Sequence, residues 1–136
     1  MPALAARFEE HAARLVDCAS LETSEQDGAV TYRLRPRNSD AAGVVLYIGP
    51  WDGGTVRLDD PACGPDEIGE DLDVDLQSID FFVKVAVEGR ATAFHLRRGG
   101  CVEVRDGDRT SRTWCNAFAW PGWRRRAERV DFRPYR

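Results

Sequence analysis

The chain has almost no lysine. Lys84 stands alone against eighteen arginines, and Met1 is the only methionine. So one-sided a preference reads as coding bias in a GC-rich genome, and it dilutes the meaning of any single arginine, whose default role is a solvated surface charge. Histidine is nearly as scarce, with only His11 and His95. No long apolar run exists. The longest, Val44–Ile48, falls far short of the roughly 20 residues that cross a bilayer. The opening Met1-Pro2-Ala3-Leu4 meets charge at Arg7, Glu9 and Glu10, so it lacks the apolar stretch of a secretory signal. A cytoplasmic protein without membrane contact is expected.

The four cysteines, Cys18, Cys63, Cys101 and Cys115, have no two members at metal-ligand spacing, so no metal site is expected. Cytosolic thiols stay reduced, and free cysteine tends to be buried. Neither GxGxxG nor GxxxxGK[ST] occurs, and neither does Gly-x-Ser-x-Gly or His-Glu-x-x-His. These absences leave no phosphate cradle, nucleophile elbow or zinc-peptidase helix, and no cofactor is indicated.

What is present is charge, unevenly laid out. From Trp51 to Glu88 the acids are Asp52, Asp59, Asp60, Asp66, Glu67, Glu70, Asp71, Asp73, Asp75, Asp80 and Glu88, opposed only by Arg57 and Lys84. From Arg97 to Arg136 the sign reverses, with arginines at 97, 98, 105, 109, 112, 124, 125, 126, 129, 133 and 136 against five acids. Such a split speaks about partners rather than about fold. The net charge of −4 argues against a dedicated nucleic-acid binder, because a polyanion needs a net basic face.

The length of 136 residues suits one domain, 1–136, able to bury about two-thirds of its unfolded surface. Leu4, Phe8, Leu15 and Val16, with Ala5 and Ala12, share one helical stripe, which predicts a helix over about Leu4–Cys18. Glu22–Gly28 reads as loop. Three strands follow: Ala29–Arg35 by alternation, Gly43–Ile48 as a strand apolar on both faces, and Thr55–Leu58. Around Asp75 a second helix begins, carrying Leu76, Ile79, Phe82, Val83 and Ala86, with Gly89 as its C-cap. Its rival is a strand through Phe81–Val85. A second meander comprises Thr92–Leu96, Cys101–Arg105 and Ser111–Phe118, and Val130 and Phe132 fit a last strand in the basic tail. The expected class is α+β: an antiparallel sheet of two three-stranded meanders with two helices on one face, in the order α-βββ-α-βββ. The two αβββ halves hint at a duplication.

A three-residue turn at Arg98–Gly100 and a five-residue turn at Asp106–Thr110 place Leu96 opposite Val102, Phe94 opposite Val104 and Val102 opposite Trp114. The other face then carries His95, Glu103 and Thr113 in one row, and Arg97, Cys101 and Cys115 in the next. A His beside a Glu is an acid–base candidate, a thiol near Arg97 is a reactive one, and Cys101 opposite Cys115 permits a disulfide in an oxidising compartment. Ordinary cross-strand polar pairs explain the same residues more simply. His11 has no partner in sequence and reads as packed or at the surface. Asp71-Leu72-Asp73-Val74-Asp75 resembles the start of a calcium loop only until Leu76, which stands where glycine is required, and Phe82, where an acid is. Acids before a helix suit its dipole.

Two function classes remain. The first is a small non-enzymatic protein acting by protein–protein binding, an inhibitor or immunity-type antitoxin. Its acidic loop would dock on a basic protein surface through Asp59, Asp60, Asp66, Glu67, Glu70, Asp71 and Asp73, with Trp51 as an anchor. The second is a small-molecule or anionic-ligand binding domain or enzyme. It would use Trp120, Trp123, Arg124, Arg125 and Arg126, where tryptophan faces lie among guanidiniums, or the His95–Glu103 face. Trp114 is expected in the core. Nucleic-acid binding through the basic tail is the least favoured reading.

Overall fold

A computed structural model describes residues 2–50, 53–59, 74–115, 117 and 120–136. The fold is α+β, with two four-stranded antiparallel sheets and three helices.

Helix α1 (Pro2–Arg14) buries Leu4 and Phe8 and half-buries Ala5 and Ala12, as the stripe requires. It stops four residues short of the expected end. A turn through Leu15 and Cys18 then carries the chain into β1, leaving Val16 69% exposed although it fits the helical stripe.

The first sheet runs β1 (Ala19–Gln26), β2 (Ala29–Pro36), β3 (Gly43–Ile48) and β4 (Gly54–Asp59) in simple order. Strand β1 corrects the expected loop over Glu22–Gly28. It is an edge strand whose side chains beyond Leu21 are exposed, so no apolar alternation marks it. Its signal is the two-residue turn Asp27-Gly28, with φ of 54° and 82°, the left-handed pair that a tight hairpin demands. Strand β3 is central, as its doubly apolar composition implies. Val44 faces Leu34 and Leu58, Leu46 faces Tyr32 and Val56, and Val45 is buried on the opposite face.

Helix α2 (Leu76–Glu88) prevails over the rival strand. Asp75 caps its start, accepting from the Ser78 N–H at 2.7 Å, and Gly89 closes it at φ 69°. A side-chain cap at the N-terminus and a left-handed C-cap outweigh the β-branched run between them.

The second sheet contains β5 (Ala91–Leu96), β6 (Gly99–Asp106), β7 (Arg109–Cys115) and β8 (Glu128–Asp131). Its order is β7-β6-β5-β8. Four strands therefore replace each expected three-stranded meander. Each half is a helix followed by four strands, but the halves are not copies: the first is a plain meander, whereas β8 returns to pair with β5. A single helical turn, α3 (Trp123–Arg126), precedes β8.

One hydrophobic cluster joins the halves. Phe8, Leu34, Leu46, Ile79, Val83, Ala91, Ala93, Val102 and Val104 all belong to it. The C-terminal segment crosses both halves. Arg133 N–H donates to Asp40 C=O at 2.9 Å, Tyr135 N–H to Val87 C=O at 3.0 Å and Tyr135 Oη to the Ala42 C=O at 2.7 Å.

Candidate functional site

Both turns of the second sheet are tighter than expected. Arg97-Arg98 alone joins β5 to β6, so Leu96 pairs with Gly99, and Gly107-Asp108 joins β6 to β7, so Asp106 pairs with Arg109. The resulting shifts are three residues and one residue. Both are odd, and an odd shift exchanges the faces of a strand. Phe94 now pairs with Cys101 and Cys101 with Trp114, while Ala93 pairs with Val102 and Ala91 with Val104. The small and branched residues line the core, and the aromatic ones turn outward.

This register overturns the acid–base row. His95 pairs with Gly100 and Glu128, whereas Glu103 pairs with Thr92 and Arg112. His95 and Glu103 lie on opposite faces and do not meet. Cys115 pairs with Gly100, so it is not the cross-strand partner of Cys101. Cys18 and Cys101 are buried thiols. Among the described residues no group of three His, Cys, Asp or Glu side chains stands close enough to hold a metal.

The structure builds something else on that outer face. Chain alternation places Thr92, Phe94, Cys101, Glu103, Trp114 and Asp131 together, and α3 lies over them. The Trp123 ring meets Phe94 at 5.2 Å and Trp114 at 4.8 Å, both nearly edge-on, the geometry that aromatic quadrupoles prefer. Trp114 is thus half-buried beneath α3 and lies outside the main core cluster, contrary to the expectation for it. Arg124 stacks over both Phe94 (5.4 Å) and Trp123 (5.0 Å), and Arg129 sits 5.9 Å from the Phe94 centroid.

Two carboxylates hold the guanidiniums. Glu103, with its side chain 13% exposed, accepts from Arg112 Nε at 2.8 Å and lies 3.4 Å from Arg124 Nη2. Asp131 accepts from Arg129 Nε at 3.1 Å and from Thr92 Oγ1 at 2.8 Å. The Thr92 hydroxyl and the Arg129 guanidinium hold the Asp131 carboxyl below the usual carboxylate range. Thr92 is fully buried, and its oxygen also accepts from Arg105 at 2.7 Å. The hydroxyl donates on one side and accepts on the other, so a polar group buried in the sheet is satisfied twice.

Of the ligand-binding candidates singled out in the sequence, Trp123 and Arg124 of the tail and Glu103 of β6 come together here. Trp120 and Arg125 join Pro121, Gly122 and Trp123 along an adjoining shallow groove, and Arg125 and Arg126 are exposed on α3. Sequence reasoning missed Phe94, Thr92, Arg105 and Asp131. Their signal was the strand alternation, which points to them only once the turns are known to hold two residues.

Of the acidic candidates only Asp59 is described. It ends β4, and its carboxylate lies 3.2 Å from Arg33 Nε in an ion pair across the sheet. That Nε is buried and makes no aligned hydrogen bond, so the pair is held by charge rather than by geometry. Trp51, Asp60, Asp66, Glu67, Glu70, Asp71 and Asp73 lie outside the described residues. His11 packs against α2, 2.6 Å from Asp80, which also faces Arg7 at 3.4 Å. That cluster ties α1 to α2.

No known family model, curated protein or solved structure matches the chain.

Proposed function

We propose that this protein acts by binding another protein, without catalysis, and that charge selects the partner. The observation that carries this reading is the separation of roles in the fold. The inner faces of both sheets are closed by one apolar cluster, and Arg112, Arg124 and Arg129 of the second half stand on an outer face. A surface with ordered charge is suited to recognition, because complementary potentials raise encounter rates and reject wrong partners.

The acid-rich stretch from Asp59 to Asp73 is the recognition element for a partner with a basic surface. It leaves edge strand β4 and precedes the cap of α2. An inhibitor seated on a nucleic-acid cleft, as an immunity-type antitoxin would be, is the form this reading takes. Replacing Asp66, Glu67 and Glu70 together by lysine is expected to abolish recovery of the partner when the tagged protein is used for capture from native lysate. Recovery unchanged by the triple replacement would remove this stretch from the binding surface.

A further inference from the structure

The face built by Phe94, Trp114 and Trp123 presents a cationic surplus. Among the described residues Arg105, Arg112, Arg124 and Arg129 are set against Glu103 and Asp131 on this face, and Arg125 and Arg126 are exposed on the adjoining turn of α3. Glu103 is engaged beneath the surface and Asp131 is held by Thr92 and Arg129, whereas Arg124 and Arg129 each leave guanidinium N–H groups without a carboxylate among the described residues. Arg129 gives only its Nε to Asp131, and Arg124 touches Glu103 only through Nη2 at 3.4 Å. Arg125 and Arg126 have no ion pair among the described residues. We infer that this face is a binding site for an extended, carboxylate-rich segment of a partner protein, held by Arg124 and Arg129 over the Phe94–Trp123 floor and by the exposed Arg125 and Arg126 of α3 beside it.

Stacking explains why such a site would favour carboxylates. A guanidinium held against a ring keeps its N–H fork directed sideways and outward, where it meets a carboxylate with two parallel hydrogen bonds. Holding the fork in place beforehand lowers the ordering cost of binding. A single-stranded nucleic acid requires open ring faces on which bases stack. The rings of this floor are already engaged: Arg124 covers Trp123, Arg124 and Arg129 flank Phe94, and the Trp123 ring stands nearly perpendicular to Phe94 and Trp114. A long polyphosphate also meets a chain of net charge −4, whereas a short acidic segment needs only the local surplus.

This inference rests on the reading of the protein as a protein-binding module, but it uses the surface opposite in sign to the Asp59–Asp73 stretch. Its test is therefore separate. Fluorescein-labelled decaglutamate is titrated with the whole protein and followed by anisotropy, beside a glycine–serine peptide of equal length and a labelled oligothymidylate. Saturable decaglutamate binding is expected at about 50 mM salt and should weaken at least tenfold by about 200 mM. Arg125→Glu with Arg126→Glu touches only exposed side chains and should lower affinity about tenfold or more while leaving thermal unfolding in place. Arg124→Ala should weaken binding as well. Absence of saturation at low salt, indifference to the double replacement, or tighter binding of oligothymidylate than of decaglutamate each overturns the inference. Any of these results leaves the acidic-stretch experiment standing.

Discussion

At the residue scale Tyr135 is a buried polar side chain whose ionisation is coupled to folding. It is 5% exposed, and its hydroxyl donates to the Ala42 carbonyl at 2.7 Å. Burial, reinforced by Cys18 and Asp59 nearby, pushes its phenol far above the usual tyrosine range. A phenol whose folded pKa is raised contributes stability that is fully present below the unfolded value of about 10 and is lost as pH climbs above it. Two effects of Tyr135→Phe follow, of opposite sense. At neutral pH the variant should lose about 1 kcal/mol, because the Ala42 carbonyl is left without its donor. Above about pH 10 its stability should fall less steeply than that of the parent chain. Urea unfolding measured at neutral and alkaline pH separates the two. A parallel fall for both proteins would show that Tyr135 ionises without unfolding.

At the element scale, α2 illustrates how caps decide a contested segment. Phe81 to Val85 favours a strand by composition, yet Asp75 and Gly89 place a helix there. Gly89 has a second duty. A Cβ at this position would stand 2.6 Å from Pro134 N and 2.8 Å from the Arg133 carbonyl carbon, inside the C-terminal segment that joins the two halves. Gly89→Ala therefore combines left-handed strain with a backbone collision and is expected to cost about 2 kcal/mol or more. A denaturation midpoint equal to the parent's would show that the segment yields freely. The hairpins carry the complementary lesson. Asp27-Gly28 was a readable hairpin signal for β1, but the polar strand before it offered no face to bury. The turns at Arg97-Arg98 and Gly107-Asp108 offered neighbouring residues that fit longer loops equally well, and two wrong lengths moved Trp114 and Glu103 to a different set of neighbours.

At the scale of the whole molecule, a single core cluster spans both sheets, both long helices and Tyr135. The halves are therefore expected to unfold together. Phe8 is 1% exposed in the first half, whereas in a chain carrying Trp51→Phe the remaining tryptophans, Trp114, Trp120 and Trp123, report on the second half alone. Phe8→Ala should cost about 3–5 kcal/mol and lower the melting temperature seen by tryptophan fluorescence as much as that seen by far-ultraviolet circular dichroism. Two separated transitions, with the fluorescence transition unmoved, would show that the halves fold independently.

Composition, periodicity and the capping residues Asp75 and Gly89 determined the α+β class, both long helices, the central place of β3 and the uneven distribution of charge, because each of these depends on local spacing or on a count. They could not determine which side chains meet across the second sheet. That depends on turn length, and one residue more or less exchanges the two faces of a strand. The tertiary structure alone decided that Glu103 belongs with Arg112, Arg124 and the aromatic rings rather than with His95, since cross-strand neighbours are set by register and the packing of small residues inward left the large ones to be covered by α3.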